Sequence, residues 1–242
     1  MNHYVIEDHP VKFLYTASKY ILENGEKFGD IIECRNMYSE LKNVAESETT
    51  RKMHEKFIEI FGDERLNWAK KVTFMEPTKE IDPLTDEEYY KYECLPKSEK
   101  RDSYFGRLIG ECGNMERNQF AHLLKRLTKK KANAKTLQMV VFREEDIYNS
   151  MSQPCCISIN IAPRNDILHI SANWRSQALS KAGYADCMAI YEMGLFFAKE
   201  SGLELGTIGM FAHSSHLRGK NGEMKKIKRF IKEIDGLLGI NS

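Results

Sequence analysis

The sequence predicts an α+β fold, a mixed β-sheet covered by helices, and three observations carry that expectation. Segments of period-two alternation gather in the second half of the chain, and segments of helical period flank them. No internal repeat, low-complexity tract or break in composition separates the two kinds, so a single domain over residues 1–242 is expected. With 42% hydrophobic and 29% charged residues the chain can bury a substantial core. A net charge of +1 gives no global field for nucleic acid or a membrane surface, and the basic runs Lys125 to Lys131 and Lys220 to Lys232 read as solvated faces.

The elements follow in order. Asp8 and Pro10 mark a helix start, Val11, Leu14, Tyr15, Ser18, Ile21 and Leu22 keep its spacing, and Asn24-Gly25 ends it. Residues 31–41 suit a strand and 50–61 an amphipathic helix. The stretch 76–103, rich in Pro, Asp, Glu, Lys and Tyr, reads as a long surface loop. Helical spacing returns over 114–128 through Met115, Phe120, Leu123, Leu124 and Leu127. From 136 the period changes: TLQMVVF (136–142), CISINIA (156–162) and ILHISANW (167–174) read as strands, the last two joined by the turn-rich Pro163-Arg164-Asn165-Asp166. A mostly apolar helix over 185–199 stops at Ser201-Gly202, TIGMFAHSSHL is another strand, and 221–238 forms a helix with Met224, Ile227, Ile231, Ile234 and Leu238 on one side.

The six cysteines (Cys34, Cys94, Cys112, Cys155, Cys156 and Cys187) include no CxxC and no zinc-type spacing, so no metal site is expected. The amino-terminal MNHYVIEDHP lacks the apolar core of a signal peptide, and no run is as long as a membrane span. The expectation is a cytoplasmic protein with free thiols.

One region carries chemistry. Cys155 follows Pro154 at a strand start, a position that also suits a small buried hydrophobe. Twenty residues on stands Arg175-Ser176, a fixed cation and a hydroxyl that suit a phosphate. Asp186 comes eleven residues after Arg175, and His216 thirty after that. Asp186 also suits the N-cap of a helix beginning at Cys187, and His216 an ordinary strand position.

Pro154-Cys155, Arg175-Ser176, Asp186 and Ser215-His216-Leu217-Arg218 at these intervals resemble the nucleotide-site landmarks of the thymidylate synthase superfamily. Asn133-Ala134-Lys135-Thr136, Phe105-Gly106 and Asn118-Gln119 add weaker matches upstream. The likeness covers about 140 central residues, and the first hundred match only loosely. It implies a thymidylate synthase-like fold, a homodimer with shared active sites, and 5,10-methylenetetrahydrofolate as cofactor. Cys155 takes the place of the nucleophile, Arg175, Ser176 and Lys135 that of the phosphate residues (Lys135 acting across the dimer), and His216 and Arg218 that of the sugar and phosphate contacts. Cys156 is left to packing on the other face of the strand. The base for the C5 proton falls to Glu59, with Glu64 second.

Departures from the pattern choose the branch. Thymidylate synthases read uracil with an asparagine where this chain has Asp186. A carboxylate accepts from the 4-amino group of cytosine and, protonated, donates to N3. Ala178 stands where the family uses an Asp to seat the folate, and Lys135, Thr136 and Arg218 replace Arg, Arg and Tyr. The resemblance is therefore to the CMP 5-hydroxymethylase branch: Cys155 adds to C6, C5 takes the one-carbon unit, and water completes 5-hydroxymethyl-CMP. Alternatives are a dCMP hydroxymethylase, a thymidylate synthase acting on dUMP, and, in a different class, a catalytically silent nucleotide- or RNA-binding relative.

Overall fold

The computed structural model describes residues 3–74, 103–109, 118–129, 137–148 and 153–240. In chain order these form β1 (His3–Glu7), α1 (Pro10–Asn24), β2 (Glu26–Phe28), β3 (Ile31–Leu41), α2 (Glu48–Phe61), α3 (Asp63–Thr73), α4 (Tyr104–Leu108), α5 (Gln119–Lys129) and β4 (Leu137–Val140). After a short 3-10 turn come β5 (Cys156–Arg164), β6 (Ile167–Trp174), β7 (Gln177–Ala178), a π-helical turn (Leu179–Gly183), α6 (Tyr184–Ser201), β8 (Glu204–Arg218) and α7 (Glu223–Leu237). The expected surface loop falls almost wholly outside the described residues, as does Lys135 with its neighbours 133–136.

The chain divides into two compact units, each assembled from separated stretches: Met1–Ala69, Trp174–Met188 and Gly209–Ser242 in the first, Lys70–Asn173 and Ala189–Ile208 in the second. Strands with helices packed on them agree with the α+β expectation.

In the first unit the strand order is β1-β3-β8, with β2 added to β3 and β7 to β8. The sheet is mixed, because β1–β3 and β7–β8 run parallel and β2–β3 antiparallel. α1 starts with Pro10, whose missing N–H costs nothing at that position. His9 caps it: the ring Nδ1 accepts from the Val11 N–H at 3.2 Å, while Nε2 meets Glu46 at 2.9 Å. Val11, Phe13, Leu14, Ala17 and Ile21 are buried, and α1 packs on β1 and β3 and against α2 and α7. α2 begins with a capping box between Ser47 and Thr50. α7 buries Ile227, Ile231 and Ile234, as its spacing predicts, and Phe230 besides, while Met224 is half-buried and Leu238 stays exposed beyond its end. Its Asp235 accepts from the Tyr15 hydroxyl and from Lys19, which fixes α7 to α1.

In the second unit the order is β8-β6-β5-β4, with β4 and β5 antiparallel. The turn is shorter than expected: β5 continues through Pro163 and Arg164, and only Asn165 and Asp166 turn, at φ 46° and 65°. Two successive left-handed residues make the tight hairpin that matches strand twist, and Asn and Asp tolerate that backbone better than other non-glycine residues. Phe74, Phe105, Phe120, Phe196 and Phe197 form one buried cluster, with Phe120 and Phe197 ring centroids 4.5 Å apart. Beside it Arg107 donates to the buried Asp146 at 2.7 Å. No helix among the described residues is long and apolar enough to cross a membrane.

Candidate functional site

Eight of the candidate site residues, Glu59, Glu64, Arg175, Ser176, Ala178, Asp186, His216 and Arg218, lie in the first unit. Arg175 and Ser176, both half-buried, link the end of β6 to β7. β7 is only two residues long and pairs parallel with β8, Gln177 opposite Ser215 and Ala178 opposite His216. Residues paired across strands share a face, so Ala178 and His216 lie on one side of the sheet and Gln177 and Ser215 on the other. The chain then makes its π-helical turn and enters α6. Asp186, 7% exposed, is the third residue of that helix. The capping alternative is thereby corrected: α6 begins at Tyr184, not Cys187, because the π-helical turn feeds it directly. The carboxylate still sits in the first turn, where the helix dipole favours an anion.

The β7–β8 step holds an unusual set of polar atoms. Gln177 Nε2 and Ser215 Oγ are buried without a hydrogen-bond partner among the described residues, and the buried His216 ring lies against the Ser214 backbone. A buried polar atom left unpaired costs about 1–3 kcal/mol. Gln177 was not singled out in the sequence, and Ser215 entered only as the first residue of the Ser215-His216-Leu217-Arg218 landmark, with no role of its own. The one available signal was a polar side chain adjoining the Arg175-Ser176 pair and another adjoining His216.

His216 is 4% exposed, and its burial, with the Arg218 guanidinium nearby, holds its pKa below the ordinary 6.5, against the opposing pull of a hydrogen bond with the Ser214 backbone and of Glu33 and Glu223. The folded state therefore keeps His216 neutral at a pH where the unfolded chain takes up a proton. Its contribution to stability is complete above about 6.5 and declines as pH falls from there through the lower folded value. Thermal midpoints followed across that window should fall less steeply with acid for His216→Gln than for the parent chain. Equal slopes would count against a buried neutral His216.

Arg218 is exposed at the end of β8 and lines a cavity of about 330 Å³ within the first unit. Ala178 is half-buried and carries no hydrogen-bonding side chain. Glu59 lies on an exposed face of α2, where Arg229 donates to it at 2.6 Å and Lys56 at 2.9 Å. Lys56 first, and Arg229 less strongly, hold its pKa below the carboxylate norm, with Glu233 opposing. That ion pairing keeps Glu59 ionised and makes it a weaker base. Glu64 is exposed at the start of α3.

The second unit carries Cys155. It is partly exposed, one residue before β5, and its backbone N–H donates to the Tyr104 hydroxyl at 3.2 Å. Cys156, the next residue, is fully buried, as alternation along a strand requires. The other two described cysteines are also shut away. Burial, with Glu33 and Glu26 nearby, pushes the Cys34 thiol up to about 11, and burial followed by Asp186 pushes Cys187 well above its norm. Thiolates, not thiols, react with alkylating agents. Iodoacetamide applied to the native chain should therefore label Cys155 before Cys34, Cys156 or Cys187, as read by peptide mapping. Labelling of Cys156 at the same rate would overturn this assignment of the accessible thiol.

No family model and no curated protein matches this chain.

Proposed function

We propose that the chain is a CMP 5-hydroxymethylase. The observation that supports the reading is the pair of unpaired buried polar atoms on one face of the β7–β8 step, Gln177 Nε2 and Ser215 Oγ, directly after Arg175-Ser176. Such a set is costly in an empty protein and is relieved by a ligand dense in donors and acceptors, as a nucleotide is.

The roles follow from the chemistry of each side chain. Arg175 presents a planar fork of donors to a phosphate, and Ser176 a hydroxyl. His216, neutral, can donate from one ring nitrogen and accept at the other, which suits a sugar hydroxyl. Asp186 accepts from the cytosine 4-amino group. The Cys155 thiolate forms a bond to C6, and the ring's displaced electron pair is balanced by a proton at N3, for which a protonated Asp186 is the donor. C5 is then nucleophilic. Bound 5,10-methylenetetrahydrofolate supplies the one-carbon unit, and Ala178 leaves its seating at that position to apolar contact. The C5 proton leaves to a base as the one-carbon unit is joined to C5, water adds to that carbon, and release of Cys155 from C6 with return of the N3 proton to Asp186 restores both groups. The homodimer belongs to the same reading. Tyr4 and Ile6, each 48% exposed, and the stacked pair Tyr4–Tyr38 give the first unit's sheet an apolar surface for a second copy.

The test is a competition. The chain, 5,10-methylenetetrahydrofolate and an equimolar mixture of CMP, dCMP, UMP and dUMP are incubated together, and the nucleotides are weighed by mass spectrometry. A gain of CH2O on CMP alone is expected. The same gain on dCMP would replace the ribose preference, a gain of CH2 on dUMP would make the chain a thymidylate synthase, and no product would favour a silent nucleotide-binding protein.

A further inference from the structure

The 330 Å³ cavity of the first unit has a lining that the nucleotide reading leaves unused. Of the residues given roles above, it shares only Arg218. One wall is aromatic and held in place. Phe57 stacks on Phe61 at 4.6 Å between centroids and meets Tyr184 edge-on at 4.7 Å. Tyr184 is 1% exposed, and its hydroxyl lies 2.7 Å from His54 Nδ1, so the wall is fixed before any ligand arrives.

The opposite character gathers at the mouth, where Arg218, Lys220 and Lys226 converge. Among the described residues neither Arg218 nor Lys226 has a carboxylate within ion-pair distance, and the pairing of Lys220 to Asp30 is long, at 3.7 Å. Lys226 Nζ stands 5.9 Å from the centre of the Phe61 ring, where cation and aromatic wall meet. Glu223 subtracts one charge, but its carboxylate is held by the Ser180 hydroxyl at 3.1 Å, and the rim remains net positive. α7 also begins here with Gly222 as its N-cap, which supplies no side-chain hydrogen bond.

We propose that this cavity is a second ligand site, for a small organic phosphate carrying one flat ring. The aromatic wall offers stacking to the ring, and one guanidinium with two ammonium groups offers donors to a phosphate's three oxygens. The volume is at the small end of the range of about 300–1,000 Å³ for ligand pockets, which fits a single ring phosphate better than a dinucleotide. The inference does not rest on the hydroxymethylase reading, of whose residues it uses Arg218 alone.

The experiment titrates the full chain with phenyl phosphate, followed by isothermal titration calorimetry, beside phenol and inorganic phosphate separately. Saturable binding of the phosphate ester is expected, at least tenfold tighter than either fragment. Lys226→Glu, an exposed substitution checked for an unchanged thermal midpoint, should weaken it tenfold or more, and Arg175→Gln should leave it unaltered. The proposal fails if Lys226→Glu binds as the parent does, if the uncharged ring binds as tightly as its ester, or if Arg175→Gln abolishes binding.

Discussion

On the proposed hydroxymethylase reading, Asp186→Asn should move substrate preference from cytosine to uracil nucleotides. A carboxylate and an amide have nearly the same shape, so the change is one of hydrogen-bond polarity alone. Held with its amide N–H2 toward position 4, asparagine donates to the O4 carbonyl of uracil and accepts from its N3–H, and in that same orientation it faces the 4-amino group of cytosine donor against donor. A site built to hydrogen-bond one pattern rejects the other by a factor on the order of 10⁴, because buried groups are left unpaired. The burial of Asp186 puts it in the regime where that penalty applies. The quantity to measure is the ratio of kcat/KM for CMP to that for UMP in parent and variant. Loss of the anion from the first turn of α6 should cost only about 0.3–1 kcal/mol, so the fold survives to be assayed. A variant that still prefers CMP would remove Asp186 from base recognition and leave it a helix-terminus anion.

The largest loss of stability is expected from Phe120→Ala. Phe120 is fully buried and touches four other phenylalanines of its unit, at centroid distances from 4.5 Å to Phe197 up to 6.0 Å to Phe74. Removing the ring forfeits its transfer energy and opens a cavity that rigid neighbours cannot close, a cost of about 3–5 kcal/mol. For a chain of this size that corresponds to a fall in the thermal midpoint on the order of 10 °C. Phe120→Leu keeps most of the volume and should cost less than about 1.5 kcal/mol. Calorimetry of the two variants separates packing from simple hydrophobicity. A loss below about 1 kcal/mol for the alanine variant would mean that the cluster relaxes into the space.

Much of this was legible in the sequence wherever the signal is local. α1, α2, α7, β3, β5, β6 and β8 follow from spacing, punctuation and alternation, and their observed limits differ by a few residues. What escaped depends on distant partners. β1 is five residues long and exists because it pairs parallel with β3 more than thirty residues away. β7 is two residues and exists only against β8. The π-helical turn that sets the start of α6 leaves no mark in composition. At the candidate site, the spacing from Cys155 to His216 was readable, but the pairing of Glu59 with Arg229, 170 positions on, was not. Nor was the isolation of the Gln177 and Ser215 polar atoms, which only three-dimensional neighbours can establish.

The interleaving of the two units has a consequence for synthesis. A ribosome releases the chain from its amino end, and structure can form only from segments already outside the exit tunnel. The second unit has all its stretches once residue 208 has emerged. The first cannot: α1 and β3 emerge early and can meet β1 and α2, but β8, which pairs beside β3, and α7, which also packs on α1, arrive last. For most of translation the part of α1 that α7 covers therefore stays open, and a chaperone acting on this polypeptide would meet it there until α7 is out.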